Sequence, residues 1–190
     1  MVVYHVVTAH YATSFTETIA SLLRGGSIVV IRTDTLYGLV ARADSQAAVE
    51  RVYAVKKRTP SKSPIVLIDS FEQLFDSYDQ ATTDRLGELW PGKNSVILPS
   101  RNAPAWLSRG NASVAYRMPD NSALRSLIAQ TGPLIAPSAN PEGLPPAMTI
   151  KEAKAYFGDS VDFYVDSGTV IDTAPSQLFR LQPNGLERLR

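Results

Sequence analysis

Two groups of short polar side chains follow apolar stretches of this sequence. Thr33 and Thr35 come directly after a β-branched run at 27–31, and Ser138 and Asn140 follow another apolar run. Side chains at strand ends lie where ligands usually bind in α/β proteins. A turn rich in Ser, Asn and Pro explains the second group equally well when it is taken alone. Two strands that end in hydroxyls favour one shared binding site.

Cations are the second kind of candidate. Lys56, Lys57 and Arg58 end a helical pattern, and Arg117 interrupts the apolar run 113–118. The helix dipole favours cations at a helix C-terminus by ~0.3–1 kcal/mol each, so the first three also have a purely structural explanation. Arg117 is different, because a buried arginine needs a carboxylate or a ligand to compensate its charge.

The sequence lacks the general-purpose catalytic motifs. It has no cysteine, and its two histidines, His5 and His10, lie near the start, which makes thiolate and histidine metal sites improbable. It has no complete Gly-x-x-x-x-Gly-Lys-Ser/Thr loop, no Gly-x-Gly-x-x-Gly and no Gly-x-Ser-x-Gly. Cations and hydroxyls without a side-chain nucleophile suit nucleotide chemistry that depends on positioning and charge neutralisation. A Mg²⁺ ion bound through phosphates is compatible with this chemistry.

Composition predicts one domain with a sizeable core, since the chain has 190 residues, of which 44% are hydrophobic. The formal charge of +1 means that nucleic-acid affinity would need a local patch. The first residues lack a basic region and a cleavage site, and no apolar run approaches the ~20 residues that span a bilayer. We expect a cytoplasmic protein that does not enter membranes.

Hydrophobic periodicity predicts alternating strands and helices, which favours one mixed sheet flanked by helices. Strands are predicted at 2–7, 27–31, 39–41, 65–68, 95–98, 113–118, 134–136, 161–165, 177–181 and 186–189. Helices are predicted after Ser14, after Asp44 or Ser45, at 71–75, 83–89 and 122–130, and after Thr149. Ser14 with Glu17, and Thr149 with Glu152, have the spacing of capping boxes. Residues 101–111 are predicted to be irregular.

Five blocks, taken in order, resemble the signature of the YrdC-like family, the threonylcarbamoyl-AMP synthases. They are TDTLYGL at 33–39, Lys56-x-Arg58, WPG at 90–92, VAYRMP at 114–119 and SAN at 138–140. No block is specific alone, but five in series are hard to obtain by chance, and the order holds from about residue 15 to the last residue.

The resemblance implies a fold and a reaction. The fold is a single YrdC-like α+β domain over residues 1–190, with a twisted mixed sheet around a deep, positively charged cavity. We expect no additional C-terminal domain of the kind that longer members carry. The reaction converts L-threonine, bicarbonate and ATP to threonylcarbamoyl-AMP and pyrophosphate, with Mg²⁺ bound through the ATP phosphates. Downstream transferase proteins would then modify adenosine 37 of tRNA, and weak contact with tRNA is compatible with this role.

The resemblance also implies roles for individual residues. Threonine would be bound by Thr33, Arg117 and Ser176, with Arg117 taking its carboxylate through two parallel hydrogen bonds. ATP would be bound by Lys56, Arg58, Ser113, Ser138, Asn140 and Arg190. Lys56 and Arg58 would be the catalytic cations, compensating charge as pyrophosphate leaves. No protein metal site is expected.

The chain departs from the family pattern at several positions. Arg32 stands where the family usually has proline, and Lys57 and Thr59 replace a small residue and a proline on either side of Arg58. After residues 90–92, the family commonly continues Pro-x-Thr, whereas this chain has Lys-Asn-Ser, and Gln177 replaces a threonine.

Two other functions are compatible with the sequence. A non-catalytic RNA-binding module would use the cations between residues 56 and 62, although the balanced charge and the absence of an aromatic ladder argue against it. A transferase that handles carbamoyl-adenylate is the second alternative, since related domains use that intermediate.

Overall fold

The computed structural model describes residues 6–8, 13–171 and 174–190, with side chains from residue 16 onward. His5, His10 and most of the first predicted strand lie outside these ranges. None of the helices in the described part of the chain is long and apolar enough to cross a membrane.

The described residues form a mixed sheet of ten strands, as the periodicity predicts. In chain order they are β1 (Val6–Thr8), β2 (Val29–Arg32), β3 (Tyr37–Arg42), β4 (Ile65–Leu67), β5 (Asn94–Pro99), β6 (Ser113–Arg117), β7 (Leu134–Ile135), β8 (Phe163–Asp166), β9 (Gln177–Gln182) and β10 (Gly185–Arg188). Their order across the sheet is β1, β8, β2, β3, β7, β4, β6, β5, β9, β10. The pairs β1/β8, β8/β2, β4/β6 and β5/β9 are parallel, and the other five are antiparallel.

Helices cover both faces of the sheet. They are α1 (Thr13–Arg24), α2 (Gln46–Lys56), α3 (Gln80–Gly87), α4 (Ala105–Ser108), α5 (Ser122–Thr131) and α6 (Ile150–Phe157), with 3₁₀ turns at Phe71–Gln73 and Gly158–Ser160. The predicted caps of α2 and α6 are present, because Ser45 accepts a hydrogen bond from Ala48 N and Thr149 accepts one from Glu152 N. The Glu152 carboxylate accepts from Met148 N at 2.7 Å, which reproduces the reciprocal contact of a capping box one residue earlier.

The core has two parts, one on each face of the sheet. Along β2, Val30 lies in one part, whereas Val29 and Ile31 lie in the other, as expected for strands whose successive side chains alternate between faces. Helices α1 and α5 cover the second part, and α2, α4 and α6 cover the first. Burial on both faces explains why Val29, Val30 and Ile31 of β2 form a continuous apolar run.

Two predicted segments form a different type of element in the structure, and one helix begins at a different residue. Residues 101–111 contain the short helix α4, in which Leu107 is buried and Trp106 Nε1 donates to Ala43 O at 2.9 Å. A four-residue helix is too short to show a period and depends on such tertiary contacts. Residues 71–75 form only a 3₁₀ turn, because the chain becomes extended at Leu74. Helix α1 begins at Thr13, one residue before its predicted cap Ser14.

A close approach between β3 and its neighbours positions the polar turn that follows β2. A Cβ atom at Gly38 would lie 3.1 Å from Thr33 Cγ2 and 3.5 Å from Ala136 Cβ. Gly38 also forms an isolated bridge with Ser138. The absence of a side chain at residue 38 therefore allows the two polar strand ends to meet.

Candidate active site

A cavity of about 300 Å³ opens where these strand ends meet. Its lining combines hydroxyls and arginines with apolar side chains: Thr33, Thr35, Leu36, Tyr37, Gly38, Arg58, Ile65, Arg117, Ala136, Pro137, Ser138, Pro146, Pro175, Ser176 and Arg190. Among the residues that the structure describes, three arginines and no Asp or Glu side chain line it. The lining therefore suits an anion.

The Thr33 hydroxyl organises the turn between β2 and β3. It donates to Leu36 O at 2.8 Å and accepts from Thr35 N and Leu36 N at 3.2 and 3.3 Å. Thr33 lines the cavity, but the turn already uses its hydroxyl, and its contact with threonine stays a prediction. A local role for this threonine thus accompanies any contact with a ligand.

Arg117 forms a buried ion pair with Asp34. Arg117 Nη2 lies 2.9 Å from Asp34 Oδ1, and the two side chains are only 5% and 3% exposed. Burial raises the pKa of the Asp34 carboxyl, with Arg117 opposing the shift, and burial also lowers the pKa of the Arg117 guanidinium. Both shifts indicate that desolvation of this pair is costly.

The ion pair leaves part of the Arg117 guanidinium uncompensated. Within the described ranges, Arg117 Nε and Asp34 Oδ2 are buried and have no hydrogen-bond partner. The sequence predicts a carboxylate or a ligand as the partner of Arg117. The structure supplies the carboxylate and keeps Arg117 on the cavity wall. Arg117 thus retains hydrogen-bond donors for a second acceptor.

Ser176 lines the cavity and contacts Ser95, a pairing that the sequence did not predict. Its Oγ lies 3.0 Å from Ser95 Oγ, and both serines are buried. Arg190, which also lines the cavity, donates from Nε and Nη2 to Ser176 O at 3.2 and 3.1 Å. The residue types at 95, 176 and 190 carried no local signal for this arrangement.

Lys56 lies in the wall and is not among the lining residues. Its ammonium donates to Ser138 O and, at 2.5 Å, to Asn140 O. The side chain is buried, and burial together with the neighbouring Arg58 lowers the pKa of Lys56 to about 8. Contact between Lys56 and a nucleotide stays a prediction, whereas its contact with the 138–140 backbone is present.

Arg58 does line the cavity. Its Nε and Nη2 donate to Lys62 O and Ser63 O at 3.3 and 3.1 Å, and its guanidinium carbon lies 5.6 Å from the Tyr53 ring centroid. The backbone after α2 and an aromatic face thus hold this cation.

Of Ser138, Asn140 and Ser113, which are also predicted to bind ATP, Ser138 lines the cavity and the other two do not. Ser138 lines the cavity and donates to Asn140 Oδ1 at 2.6 Å. Asn140 donates to Pro141 O and Leu144 O, so it organises its own loop. Ser113, at the start of β6, is not among the lining residues.

Arg32 is likewise not among the lining residues. Its Nη1 donates to Ser167 O and Thr169 O at 3.2 and 3.5 Å. Tyr37, a member of the 33–39 block for which no individual role was predicted, accepts from Ser167 N and donates to Gly168 O at 2.7 Å. Arg32 and Tyr37 therefore hold the segment that leads towards Ser176.

Among the described residues, no group of three or more His, Asp or Glu side chains is arranged to hold a metal ion. The donors around the cavity are hydroxyls and cations. Because arginines cannot be metal ligands, a Mg²⁺ ion at this cavity would need phosphate oxygens among its ligands.

Comparison with protein families gives one match over most of the chain. Residues 21–190 match the profile of the Sua5, YciO and YrdC family, which carries the description "Telomere recombination". The threonylcarbamoyl-AMP synthase of Pseudomonas fluorescens strain Pf0-1 is 35% identical over 144 residues, which cover 74% of this chain and 78% of that protein.

Solved structures give the same result. Sua5 of P. abyssi in complex with L-threonine superposes with a TM-score of 0.87 and 28% identity, covering 99% of this chain and 57% of that one. This chain therefore spans little more than half the length of that Sua5. The MTH1692 protein of Methanobacterium thermoautotrophicum superposes with a TM-score of 0.74 and 30% identity, covering 100% of this chain and 92% of that one.

Proposed function

The chain belongs to the Sua5, YciO and YrdC family, and from this premise we propose that it is a threonylcarbamoyl-AMP synthase. This nucleotidyltransferase forms threonylcarbamoyl-AMP and pyrophosphate from L-threonine, bicarbonate and ATP. Its product supplies the N6-threonylcarbamoyl group of adenosine 37 in tRNA through downstream transferase proteins. We propose a cytoplasmic location, because tRNA and ATP are intracellular.

The observation that carries this proposal is the environment of Arg117. A guanidinium buried in the sheet faces a cavity, and one carboxylate compensates only part of its donor set. A substrate carboxylate is the acceptor that a planar guanidinium binds best. We propose that Arg117 binds the threonine carboxylate, with Thr33 and Ser176 beside it.

The nucleotide is assigned to the same cavity through Arg58, Ser138 and Arg190, which line it. Arg58 is the catalytic cation of this scheme, since it can neutralise charge on the phosphates as pyrophosphate leaves. Lys56 and Asn140 act on the nucleotide through the 138–140 loop that they hold. Mg²⁺ would be bound through the phosphates and would supply further charge neutralisation.

We propose that the reaction needs no covalent enzyme intermediate. The threonine amine combines with bicarbonate to give the carbamate and water. A carbamate oxygen then bonds to the α-phosphorus as the bond to the pyrophosphate oxygen breaks. The chain supplies orientation and positive charge for this displacement.

Pyrophosphate release by the purified protein tests this function. We expect release only when ATP, threonine and bicarbonate are all present, with threonylcarbamoyl-AMP detected by mass spectrometry. ATP–pyrophosphate exchange that persists without threonine and bicarbonate contradicts the proposed order. Dependence on carbamoyl phosphate would identify a carbamoyl transferase, and salt-sensitive RNA binding without turnover would identify an RNA-binding module.

The Arg117→Ala variant tests the carboxylate contact. We expect the dissociation constant for threonine to rise at least tenfold, because a charge-assisted hydrogen bond contributes roughly 1.5–3 kcal/mol. Arg180→Ala removes an exposed arginine of β9 and is the matched control. Because Asp34 would be left unpaired, circular dichroism must verify folding, and Arg117→Lys supplies a second variant that keeps the charge without the planar fork. Lost turnover with unchanged threonine affinity would overturn the assignment.

A further inference from the structure

We propose that Glu142 is a positioning residue for the nucleotide, because its carboxylate holds the turn after α2 in the position from which Arg58 reaches the cavity. This inference rests on the proposed function for the identity of the ligand, ATP. The contact itself is a property of the chain and can be tested without any ligand.

The Glu142 carboxylate binds the turn at two residues. Oε2 accepts hydrogen bonds from Thr59 N at 2.5 Å and Thr59 Oγ1 at 2.9 Å, and Oε1 pairs with the Lys62 ammonium. Lys62 and Thr59 lower the pKa of Glu142 to about 2, so the carboxylate is ionised at neutral pH. Residues 59–62 are thereby attached to a loop that lies some 80 positions further along the chain.

The backbone of Glu142 and the side chain of Lys56 form further hydrogen bonds between the same two loops. Glu142 N donates to Lys56 O, the last carbonyl of α2, at 2.8 Å. Lys56 in turn donates from its ammonium to Ser138 O and Asn140 O. We call this set of contacts between residues 56–62 and 138–142 the interloop contact; it joins the two loops that carry Arg58 and Ser138.

Arg58 depends on the position of Lys62. Arg58 Nε donates to Lys62 O at 3.3 Å, and Tyr53 Oη donates to the same carbonyl at 2.6 Å. Displacement of the Lys62 backbone would therefore move the acceptor that orients the Arg58 guanidinium. Glu142 binds Lys62 from the opposite loop and so limits that displacement.

Thr59 supplies two donors that the usual residue lacks. A proline at position 59 would have neither an N–H nor a hydroxyl to offer Glu142. The departure from the family pattern at residue 59 therefore has a structural consequence in this chain.

Glu142 also has the donor environment of a bound phosphate oxygen: a backbone N–H, a hydroxyl and an ammonium. Competition with ATP for these groups is the alternative role for the carboxylate. The geometry favours positioning, since Thr59, Lys62 and Glu142 are not among the residues that line the cavity. The two roles predict opposite changes in ATP affinity.

The test uses three variants of the full chain. Glu142→Ala removes all acceptors, Glu142→Gln keeps one amide oxygen without the charge, and Glu88→Ala is the control at an exposed glutamate beside α3. Calorimetry gives the dissociation constants for ATP with Mg²⁺ and, separately, for threonine. Hydrogen exchange of the Thr59 amide in the ligand-free protein reads the interloop contact directly.

We expect Glu142→Ala to raise the dissociation constant for ATP by about 3- to 10-fold, with Glu142→Gln between it and the wild type, because a half-exposed ion pair is worth little alone. Threonine affinity should not change, and Glu88→Ala should match the wild type. Faster exchange at Thr59 should accompany the loss of ATP affinity. Tighter ATP binding in Glu142→Ala, or unchanged exchange at Thr59, would overturn the proposal.

Failure of the proposed function would be distinguishable from failure of this inference. A wild-type chain that binds no ATP contradicts the proposed function, while exchange at Thr59 still decides whether Glu142 holds the turn. A chain that binds ATP equally well in all variants overturns the inference and leaves the proposed function standing.

Discussion

Arg117 and Arg58 line the same cavity, but their positions are maintained by different kinds of partner. Arg117 lies in the sheet and pairs with the buried carboxylate of Asp34. Arg58 follows a helix and donates to two backbone carbonyls of an adjacent turn. That turn is held by Glu142 through an ion pair in which Lys62 is more than half exposed.

The Arg117–Asp34 pair is part of the buried core, whereas the Lys62–Glu142 pair that supports Arg58 lies at the surface. A buried charge that loses its partner destabilises the whole fold, because the remaining ion is left without compensation in a low-dielectric interior. An exposed ion pair contributes about 0–1 kcal/mol, so its loss changes local geometry more than stability. We therefore expect substitutions around Arg117 to affect folding and substitutions around Arg58 to affect mainly nucleotide binding.

The largest effect should follow Asp34→Asn. This variant keeps the shape of the side chain but leaves Arg117 buried and uncompensated, so the free energy of unfolding should fall by about 3–5 kcal/mol. Urea denaturation measures this loss.

Two controls accompany that measurement. Asp120→Asn neutralises an exposed carboxylate and should change stability by less than about 0.5 kcal/mol. The double variant Asp34→Asn with Arg117→Met removes both charges and should recover much of the loss. If Asp34→Asn lowers the free energy of unfolding no more than Asp120→Asn does, the buried ion pair does not make the Arg117 side of the cavity more important for stability than the Arg58 side.

An intermediate effect is expected for Lys56→Met. Two backbone carbonyls lose their donor, which should lower the free energy of unfolding by about 1–3 kcal/mol, as measured by urea denaturation. Lys57→Met removes an exposed neighbour and is the matched control.

The pH dependence of the same variant has a defined sign. The pKa of Lys56 is lowered by burial from 10.5 to about 8, so between these values the unfolded chain binds more protons than the folded chain. The stability advantage of the wild type over Lys56→Met should therefore grow as the pH rises through that window. An advantage that shrinks would show that the carbonyl contacts require the charged ammonium.

The smallest effect concerns Glu142 in acid. Its pKa lies at about 2, below the ordinary value of 4.5, so its contribution to stability is complete above pH 4.5 and is lost as the pH falls towards 2. The difference in unfolding free energy between the wild type and Glu142→Gln should decrease over that range. Glu88→Gln is the control, and a Glu142→Gln difference that does not change with pH would contradict the ion pair with Lys62.

Local patterns predicted most of the elements because strands and helices follow from short-range periodicity. The caps Ser45 and Thr149 could also be predicted from local sequence, since a cap accepts a hydrogen bond from a backbone group three residues away. Helix α4 could not be predicted from local sequence, because its four residues depend on the burial of Leu107 and on the contact of Trp106 with a distant carbonyl.

The sequence predicted only part of the candidate site, because short local patterns do not specify tertiary contacts. Family blocks identified Thr33, Arg58, Arg117 and Ser138, and all four line the cavity. Those blocks do not record which way a side chain points: the Lys56 ammonium contacts two backbone carbonyls, and its contact with the nucleotide stays a prediction.

The sequence by itself determined most of the strands and helices, the family and the need of Arg117 for a partner. Tertiary structure alone decided that the partner is Asp34, 83 positions away, and that Glu142 holds the turn beside Arg58. The physical reason is range. Hydrophobic periodicity acts over a few residues, whereas pairing of charges depends on strand register and on which loops meet at the end of the sheet.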